Sequence, residues 1–275
     1  MQDKESFFIS LFPDAHIGDD GAVIGNTVYS KDLFCEDIHF RRGWLTLEEI
    51  AYKSMLVNIS DAVAMNAHPR YALIGIQIPS DFTADQMEAL ARGFNEAAGE
   101  YGFSIIGGDT VAGDRLDISV TLVSHTDLPL RRSGIVEGDL LAYTGHPGSV
   151  GRDLARLMAG ETIAPDSRFI RPILRDRFLY EAAPLLHAGL DISDGLSKDL
   201  SRLSRINHVG FRFHAPLPRE MLCSGEEYEL LFAFAPEHHD TLMQIAARHR
   251  TPVTVFATAT AGRYETECPE NHFRG

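Results

Sequence analysis

The sequence is poor in cysteine and contains no cysteine-rich motif. Its three cysteines, Cys35, Cys223 and Cys268, are far apart, and none belongs to a Cys-x-x-Cys pair. Structural zinc sites draw on closely spaced cysteines, and disulfide frameworks are typical of small secreted domains. We therefore expect neither a structural zinc site nor a disulfide framework, and we expect a reducing cytoplasm as the compartment.

Long apolar runs are also missing. Residues 1–12 contain no basic segment followed by a long apolar stretch, and no other segment approaches the roughly 20 apolar residues that a membrane-spanning helix requires. We expect a soluble protein that has no membrane partner.

Basic residues are outnumbered by acidic ones. The chain has 25 Lys and Arg against 39 Asp and Glu, for a formal net charge of −14. Proteins that bind nucleic acid concentrate positive charge against the phosphate backbone, so this balance argues against a nucleic-acid partner. The length of 275 residues suits one large globular domain or two moderate ones.

Several common catalytic signatures are absent. The nearest approach to a phosphate-binding Gly-x-x-x-x-Gly-Lys-[Ser/Thr] loop, residues 108–113, continues with Asp114 and Arg115. No Gly-x-Gly-x-x-Gly, His-Glu-x-x-His or protein-kinase signature occurs. Ser193 lies in Asp-Ile-Ser-Asp-Gly, where aspartate replaces the first glycine of a nucleophile elbow, which argues against a serine nucleophile.

Strand-like runs alternate with helical patterns along the chain. Thr46 and Thr83 each open a capping box, which predicts helices that reach about residues 66 and 99. Further helices are predicted at 150–159, 194–206 and 237–250, and strands at 27–34, 71–78, 116–124, 139–144, 209–214 and 228–235. This mixture predicts an α+β protein.

A segment that carries proline, glycine and charge separates two halves. Residues 126–134 lie between two predicted strands and place a boundary between an N-terminal domain, 1–128, and a C-terminal domain, 129–275. Asn-Ile-Ser-Asp-Ala at 58–62 recurs as Asp-Ile-Ser-Asp-Gly at 191–195. This echo leaves an internal duplication open.

Short aspartate clusters beside glycines and apolar segments are the most distinctive feature. They occur at 17–21, 30–32, 58–61, 107–110 and 191–195. A single cluster of this kind is more often a turn or a helix cap. Five of them indicate carboxylates that converge, and converging carboxylates repel one another unless a cation lies between them. Such oxygen ligands favour Mg²⁺, which commonly bridges carboxylates to substrate phosphates and so lets an acidic chain bind them.

The clusters belong to longer segments that follow one order along the chain. These segments are Ile-Gly-Asp-Asp-Gly-Ala-Val at 17–23, Asp32 followed by His39-Phe40, Tyr-Lys-Ser-Met-Leu-Val-Asn-Ile-Ser-Asp-Ala-Val-Ala-Met at 52–65, Ile-Gly-Gly-Asp-Thr at 106–110, Arg-Ser-Gly at 132–134, Asp-Ile-Ser-Asp-Gly-Leu at 191–196, Ser-Gly-Glu-Glu-Tyr-Glu-Leu-Leu-Phe at 224–232, and His-Phe at 272–273. In this order they resemble the thiamine-monophosphate kinase family, in the superfamily of aminoimidazole ribonucleotide synthetase and selenophosphate synthetase.

The resemblance implies a fold, an assembly and a reaction. The fold would be the two-domain fold of aminoimidazole ribonucleotide synthetase, with N-terminal domains that pair in a homodimer. The reaction would be the ATP- and Mg²⁺-dependent phosphorylation of thiamine monophosphate to thiamine diphosphate by direct in-line transfer. Because the acceptor phosphate is already an anion near neutral pH, a strong general base would not be needed.

The resemblance also implies roles for individual residues. The ligands of several magnesium ions would be Asp19, Ser30, Asp32, Asp61, Asp109, Asp191 and Asp194. ATP would contact Tyr101, Gly108, Asp109, Arg132 and Ser193, and thiamine monophosphate would contact His39, Glu226 and Phe273. Arg132 and Asp194 would act in the transfer itself. A carboxylate and an aromatic face suit a cationic thiazolium and an aminopyrimidine.

Three positions depart from the family pattern. Lys31 replaces a threonine beside a metal aspartate, where a lysine would compete with the cation unless it points away along the strand. Ser224 and Glu227 replace a glycine and an aspartate near Glu226.

Two alternatives to the kinase remain. One is a related ATP-dependent enzyme with another acceptor, similar to aminoimidazole ribonucleotide synthetase; residues 1–34 lack the cysteine or selenocysteine that selenophosphate chemistry favours. The other is a non-catalytic, metal-stabilised dimerisation module.

Overall fold

The computed structural model describes residues 4–12 and 14–269. The N-terminal elements are α1 Lys4–Ile9, β1 Ala22–Ile24, β2 Thr27–Cys35, α2 Leu47–Ala64, β3 His68–Pro79, α3 Ala84–Tyr101, β4 Ser104–Gly113 and β5 Asp117–His125. The C-terminal elements are β6 Leu140–Thr144, α4 Ser149–Met158, α5 Asp176–Ala182, β7 Leu186–Asp191, α6 Leu196–Asn207, β8 Gly210–Phe213, α7 Arg219–Cys223, β9 Leu230–Phe234, α8 His239–Arg248 and β10 Val253–Thr260, with short 3₁₀ turns at Ala183–Leu185 and Pro236–His238. The α+β prediction is confirmed.

The first five strands form one sheet in the order β1-β2-β5-β3-β4. Strand β2 alternates strictly, so that Val28, Ser30 and Phe34 are buried while Tyr29 and Leu33 are exposed. The inner face, with Val28 and Phe34, covers α2, and the outer face has no covering element among the described residues. The sheet therefore buries one face and leaves the other open.

Both predicted capping boxes are present. Thr46 accepts the backbone N–H of Glu49 and caps α2, and Thr83 does the same for α3 with Gln86. Helix α3 connects β3 to β4, and these two strands are parallel. Strand β4 is one of the two edge strands of the sheet, and β1 is the other.

The second sheet contains the other five strands in the order β7-β9-β6-β10-β8. All five residues of β9 are buried, as expected for a strand inside a layered core. Residues 126–139 separate the two sheets along the chain and include the segment at which the sequence places the domain boundary.

Helix α2 lies between the two sheets and is buried on almost every side. It contacts β2 and β5 on one side, and α5 and β7 on the other. The predicted apolar stripe of Ile50, Met55, Ile59 and Val63 is buried. The polar residues Lys53, Ser54, Asn58 and Ser60 are buried as well, which an amphipathic surface helix would not allow.

Cysteine pairing differs from the expectation. Cys223 and Cys268 form a disulfide that joins α7 to the C-terminal segment across 45 residues of sequence. The expectation of no disulfide rested on spacing, and so long a separation carries no local signal. Cys35 remains a free thiol.

The described part of the chain contains no helix that is both long enough and apolar enough to cross a membrane.

Candidate active site

Three carboxylates from distant parts of the chain meet at one point. Asp20 precedes β1, Asp61 lies in the last turn of α2, and Asp191 ends β7. One oxygen atom of each carboxylate lies within 4.8 Å of the other two. We call these residues the carboxylate group. Asp61 and Asp191 are predicted ligands, and Asp20 is not.

Burial makes the charged form of this group unfavourable. Burial, followed by the charges of Asp32 and Asp191, raises the pKa of Asp61 well above its usual range. Burial and the charge of Asp20 likewise raise the pKa of Asp191. Burial also raises the pKa of Asp20, although Arg132 opposes the shift. A divalent cation would favour the ionised carboxylates here.

The two neighbouring aspartates of the first motif have different surroundings. The Asp20 side chain is 1% exposed and forms an ion pair with the guanidinium of Arg132. Asp19 instead accepts the backbone N–H of Arg132 at 2.9 Å and pairs with Arg131 at 2.8 Å. Asp20, rather than the predicted Asp19, therefore lies in the carboxylate group, because the turn directs the two side chains apart.

Strand β2 brings Asp32 to the same place and turns Lys31 away. The charge of Asp32 acts on Asp61, so that Asp32 adjoins the carboxylate group. Lys31 points to the outer face, where its Nζ donates to Ser119 Oγ at 2.5 Å and to Thr121 Oγ1 at 3.3 Å. Lysine at this position therefore does not compete with a cation at the carboxylate group.

The hydroxyl of Ser30 forms a hydrogen bond within the fold. Ser30 is buried, and its Oγ donates to Asn58 Oδ1 at 2.5 Å. The amide of Asn58 in turn donates to the carbonyl oxygen of Val120 at 2.8 Å. These two bonds attach α2 to β2 and β5, while the metal role of Ser30 stays a prediction.

Asp109 and Gly108 lie on the far edge of the sheet. The register aligns Asp32 with Val120, Ile74 and Gly108, so that three strand spacings, roughly 14 Å, separate Asp32 from Gly108.

Asp109 also faces the other side of that sheet. It aligns with Gly75, Ser119 and Leu33, and Leu33 is 60% exposed on the outer face. Asp109 therefore points to the face opposite Asp32 and cannot join the carboxylate group of its own chain.

Asp194 and Ser193 follow β7 in the turn that leads to α6. Asp194 Oδ2 accepts from Arg202 at 2.8 Å, and Arg202 also binds Asp199 at 2.7 Å. Burial raises the pKa of Asp199 to about 7. The carbonyl oxygen of Ser193 accepts the N–H of Glu226 at 2.7 Å, so this turn is attached to the predicted substrate segment.

His39, a predicted substrate residue, and Lys53 both contact the buried ring of Phe34. His39 stacks on Phe34 with 5.5 Å between ring centroids, and Lys53 Nζ lies 5.6 Å from the same ring. Lys53 Nζ is also 2.7 Å from Glu226 Oε2. Phe34 and Lys53 thus connect His39 to Glu226, and the shared ligand of these two residues stays a prediction.

The segment that carries Glu226 has an unusual backbone. Glu226 and Tyr228 have φ of 55° and 51°, in the left-handed region that residues other than glycine seldom adopt. The N–H of Tyr228 donates to Ile192 at 2.9 Å and helps hold this conformation. Burial raises the pKa of Tyr228 well above its usual range, and the charges of Glu226, Asp32, Asp191 and Asp61 add to the effect. Tyr228 is therefore close both to Glu226 and to the carboxylate group.

The Glu227 side chain has a structural role. Its Oε1 accepts the N–H groups of Gly148 and Val150 at 2.6 and 3.2 Å and the hydroxyl of Ser224 at 2.5 Å. Two amides of the turn at 145–151 are therefore directed to Glu227, and the amide of Gly151 donates to Ser224 Oγ at 2.8 Å.

Tyr101 lines a separate cavity of about 360 Å³. Tyr52, Glu100, Arg171 and Asp176 also line this cavity. Burial raises the pKa of Tyr101, and the charge of Glu100 adds to the effect. The ATP contact of Tyr101 stays a prediction, and Phe273 lies outside the described residues.

The sequence did not single out four residues at this site. They are Asp20, Lys53, Arg202 and Tyr228. The motifs contain Asp20, Lys53 and Tyr228, but spacing alone cannot show which members of a motif share a cavity.

Two family models together match most of the chain. They describe the N-terminal domain of AIR synthase related proteins, at residues 18–125, and the C-terminal domain, at residues 136–267. The thiamine-monophosphate kinase of Bacillus subtilis (strain 168) is 30% identical over 88% of this chain and 84% of its own. The chain belongs to the thiamine-monophosphate kinase family. The family's enzyme from Nitrosopumilus maritimus (strain SCM1) is also 30% identical, over 80% of this chain and 77% of its own.

Solved structures of the family have the same fold. AaThiL complexed with AMPPCP and TMP superposes with a TM-score of 0.84 at 25% identity, over 99% of this chain and 98% of that chain. The thiamine-monophosphate kinase of Stenotrophomonas maltophilia K279a superposes with a TM-score of 0.80 at 25% identity, over 98% and 95%. The predicted two-domain fold is thereby confirmed.

Proposed function

We propose that the protein transfers the γ-phosphoryl group of ATP to thiamine monophosphate and so forms thiamine diphosphate. The observation that carries the proposal is the meeting of Asp20, Asp61 and Asp191 beside Arg132, in a chain of this kinase family. The complex of AaThiL with AMPPCP and TMP supports an ATP analogue and TMP as the ligand pair.

The donor atoms fit magnesium. Three carboxylates converge, and Asp20 Oδ2 is buried without a hydrogen-bond partner among the described residues. Hard oxygen donors of this kind suit Mg²⁺, and Asp20, Asp61 and Asp191, with Asp32 adjoining, would hold it. When bound, the ion would neutralise charge on the transferring phosphate.

The side chains of the chain bind and orient the reactants. Arg132 is held by Asp20 and by the carbonyl oxygen of Gly18 at 3.1 Å, so its guanidinium is placed before a phosphate arrives. His39 and Glu226 would hold the thiamine part of the acceptor. No residue has to remove a proton, because the acceptor phosphate is an anion near neutral pH.

We propose a homodimer that completes the site. The carboxylate group lies near the β1–β2 edge, whereas Gly108 and Asp109 lie on the β4 edge with Asp109 on the outer face. In a two-fold dimer that pairs the outer faces about an axis parallel to the strands, the β4 edge of one subunit approaches the β1–β2 edge of the other. The partner's Gly108 and Asp109 would then lie at the β1–β2 edge of this chain, the edge near which its carboxylate group lies.

The test is a product assay with ATP and Mg²⁺ on thiamine, thiamine monophosphate and an aminoimidazole precursor. We expect thiamine diphosphate from thiamine monophosphate alone. If the protein turns over only the aminoimidazole precursor, that compound and not thiamine monophosphate is the acceptor. Calorimetry tests the non-catalytic alternative. ATP binding is measured with Mg²⁺ and then with a chelator, and a dimerisation module would not bind ATP.

A further inference from the structure

Lys53 is a buried lysine with one carboxylate partner. It lies on α2 with a side chain that is 0% exposed, and its Nζ is 2.7 Å from Glu226 Oε2. The same Nζ is 3.9 Å from the centroid of the buried Phe169 ring. A buried ammonium is costly unless it is paired, so the fold holds Glu226 close to Lys53.

The pair leaves Glu226 partly accessible. The Glu226 side chain is 23% exposed, whereas Lys53 is not exposed at all. One carboxylate oxygen, Oε2, is thus occupied by Lys53 on the inner side. A ligand on the exposed side meets a carboxylate whose charge is already balanced and whose orientation is set.

Helix α2 relates this pair to the carboxylate group. Lys53, Ser60 and Asp61 are seven and eight residues apart, so they lie on one face of the helix. Eight residues of helix correspond to roughly 12 Å. Glu226, paired with Lys53, and the phosphate site at Asp61 are therefore about this distance apart along α2, and a substrate that contacts both has to span it.

We propose that Lys53 is a positioning residue that makes Glu226 an oriented hydrogen-bond acceptor for the pyrimidine amino group of thiamine monophosphate. This inference rests on the proposed function. Because Lys53 balances the charge of Glu226, recognition depends on an N–H donor in the correct place more than on attraction to the cationic thiazolium. Lys53 thereby sets substrate specificity without touching the substrate.

The experiment compares thiamine monophosphate with oxythiamine monophosphate, in which an oxygen replaces the pyrimidine amino group. The wild type should have a Michaelis constant for the oxy compound that is higher on the order of tenfold, since a hydrogen bond to a charged acceptor is lost. Lys53→Met should raise the Michaelis constant for thiamine monophosphate on the order of tenfold and bring the ratio of the two constants towards one. The constant for ATP should not change.

Two further variants separate positioning from folding. Lys53→Arg keeps a cation and should restore part of the discrimination. Arg171→Met is the matched control, because Arg171 also joins the two domains through an ion pair, 2.7 Å from Glu96, and a ring contact, 4.3 Å from the Tyr52 centroid. It should leave the constant for thiamine monophosphate and the ratio unchanged.

The outcomes distinguish this inference from the proposed function. A wild type that does not phosphorylate thiamine monophosphate would overturn the proposed function. The wild type can be active while the folded Lys53→Met variant keeps both the Michaelis constant for thiamine monophosphate and the ratio of the two constants. That result would overturn only the role of Lys53. If Lys53→Met does not fold, Glu226→Gln decides, since retention of the wild-type ratio in that variant also overturns it.

Discussion

The hydroxyl of Ser60 donates to Asp191 Oδ2 at 2.6 Å, although 131 residues of sequence separate the two. Ser60 belongs to the Asn-Ile-Ser-Asp segment on α2, and Asp191 to the Asp-Ile-Ser-Asp segment at the end of β7. The two similar segments therefore meet, one as helix and one as the end of a strand. Their likeness marks the two sides of one site and not two equivalent positions in a repeat.

Asp61→Asn should abolish turnover and stabilise the metal-free protein. The pKa of Asp61 is raised by burial and by Asp32 and Asp191, so a neutral amide relieves an unfavourable charge while it removes a metal ligand. We expect turnover to fall at least ~100-fold and the melting temperature in chelator to rise. The exposed Asp240→Asn is the control. Near-normal turnover of Asp61→Asn at moderate Mg²⁺ would exclude Asp61 as a ligand.

The stability of the metal-free protein should fall as the pH rises. Burial raises the pKa of Asp199 to about 7 and also raises the pKa values of Asp20, Asp61 and Asp191. Between pH 4 and 7 the folded state therefore binds more protons than the unfolded state, and the free energy of unfolding decreases with pH.

Melting curves at pH 6 and pH 8 test this effect. In chelator the melting temperature should be higher at pH 6, and Mg²⁺ with a nucleotide should reduce or reverse the difference, since the ion binds the ionised carboxylates. Equal melting temperatures at both pH values, with no effect of Mg²⁺, would contradict the arrangement of the carboxylate group.

Helices α2 and α3 could be predicted from the sequence because their signals are local. Thr46 and Thr83 are capped by residues three positions away, and the structure has both capping boxes. The sequence does not predict strand β4, because this strand is rich in glycine and exposed along most of its length. The pairing of Lys53 with Glu226, across 173 residues, depends on how two domains pack, which no local pattern encodes.

Arg132→Lys should weaken the binding of ATP and lower turnover. Lysine keeps the charge beside Asp20 but cannot also reach the Gly18 carbonyl oxygen with a planar group. We expect a loss on the order of tenfold in turnover and in apparent ATP affinity. Arg132→Ala is less informative, because an unpaired buried Asp20 would destabilise the fold by roughly 3–5 kcal/mol.

Steady-state kinetics with each substrate varied in turn measure the effect of Arg132→Lys. Arg131→Lys is the matched control, since Arg131 is the neighbouring arginine and pairs with Asp19 at the surface. Identical kinetics of both variants would remove Arg132 from the ATP site.

Cys268→Ser should destabilise the protein. The disulfide with Cys223 closes 45 residues, and the loss of that constraint on the unfolded chain corresponds to about 4 kcal/mol. Denaturant unfolding under non-reducing conditions measures this change. Cys35→Ser, which alters the free thiol, should have a smaller effect. If the two variants unfold at the same denaturant concentration as the wild type, the disulfide does not contribute to stability.

The opposite orientation of Asp32 and Asp109 on the sheet predicts that two inactive variants can complement each other. If each site draws Asp61 from one subunit and Asp109 from the other, Asp61→Asn and Asp109→Asn are both inactive alone, yet they can complement each other. Unfolding and refolding the two together would produce hybrid dimers in half of the population, and one site of each hybrid would carry both aspartates. The mixture should therefore recover about one quarter of the wild-type activity. A mixture that stays inactive would mean that every site is built from a single subunit.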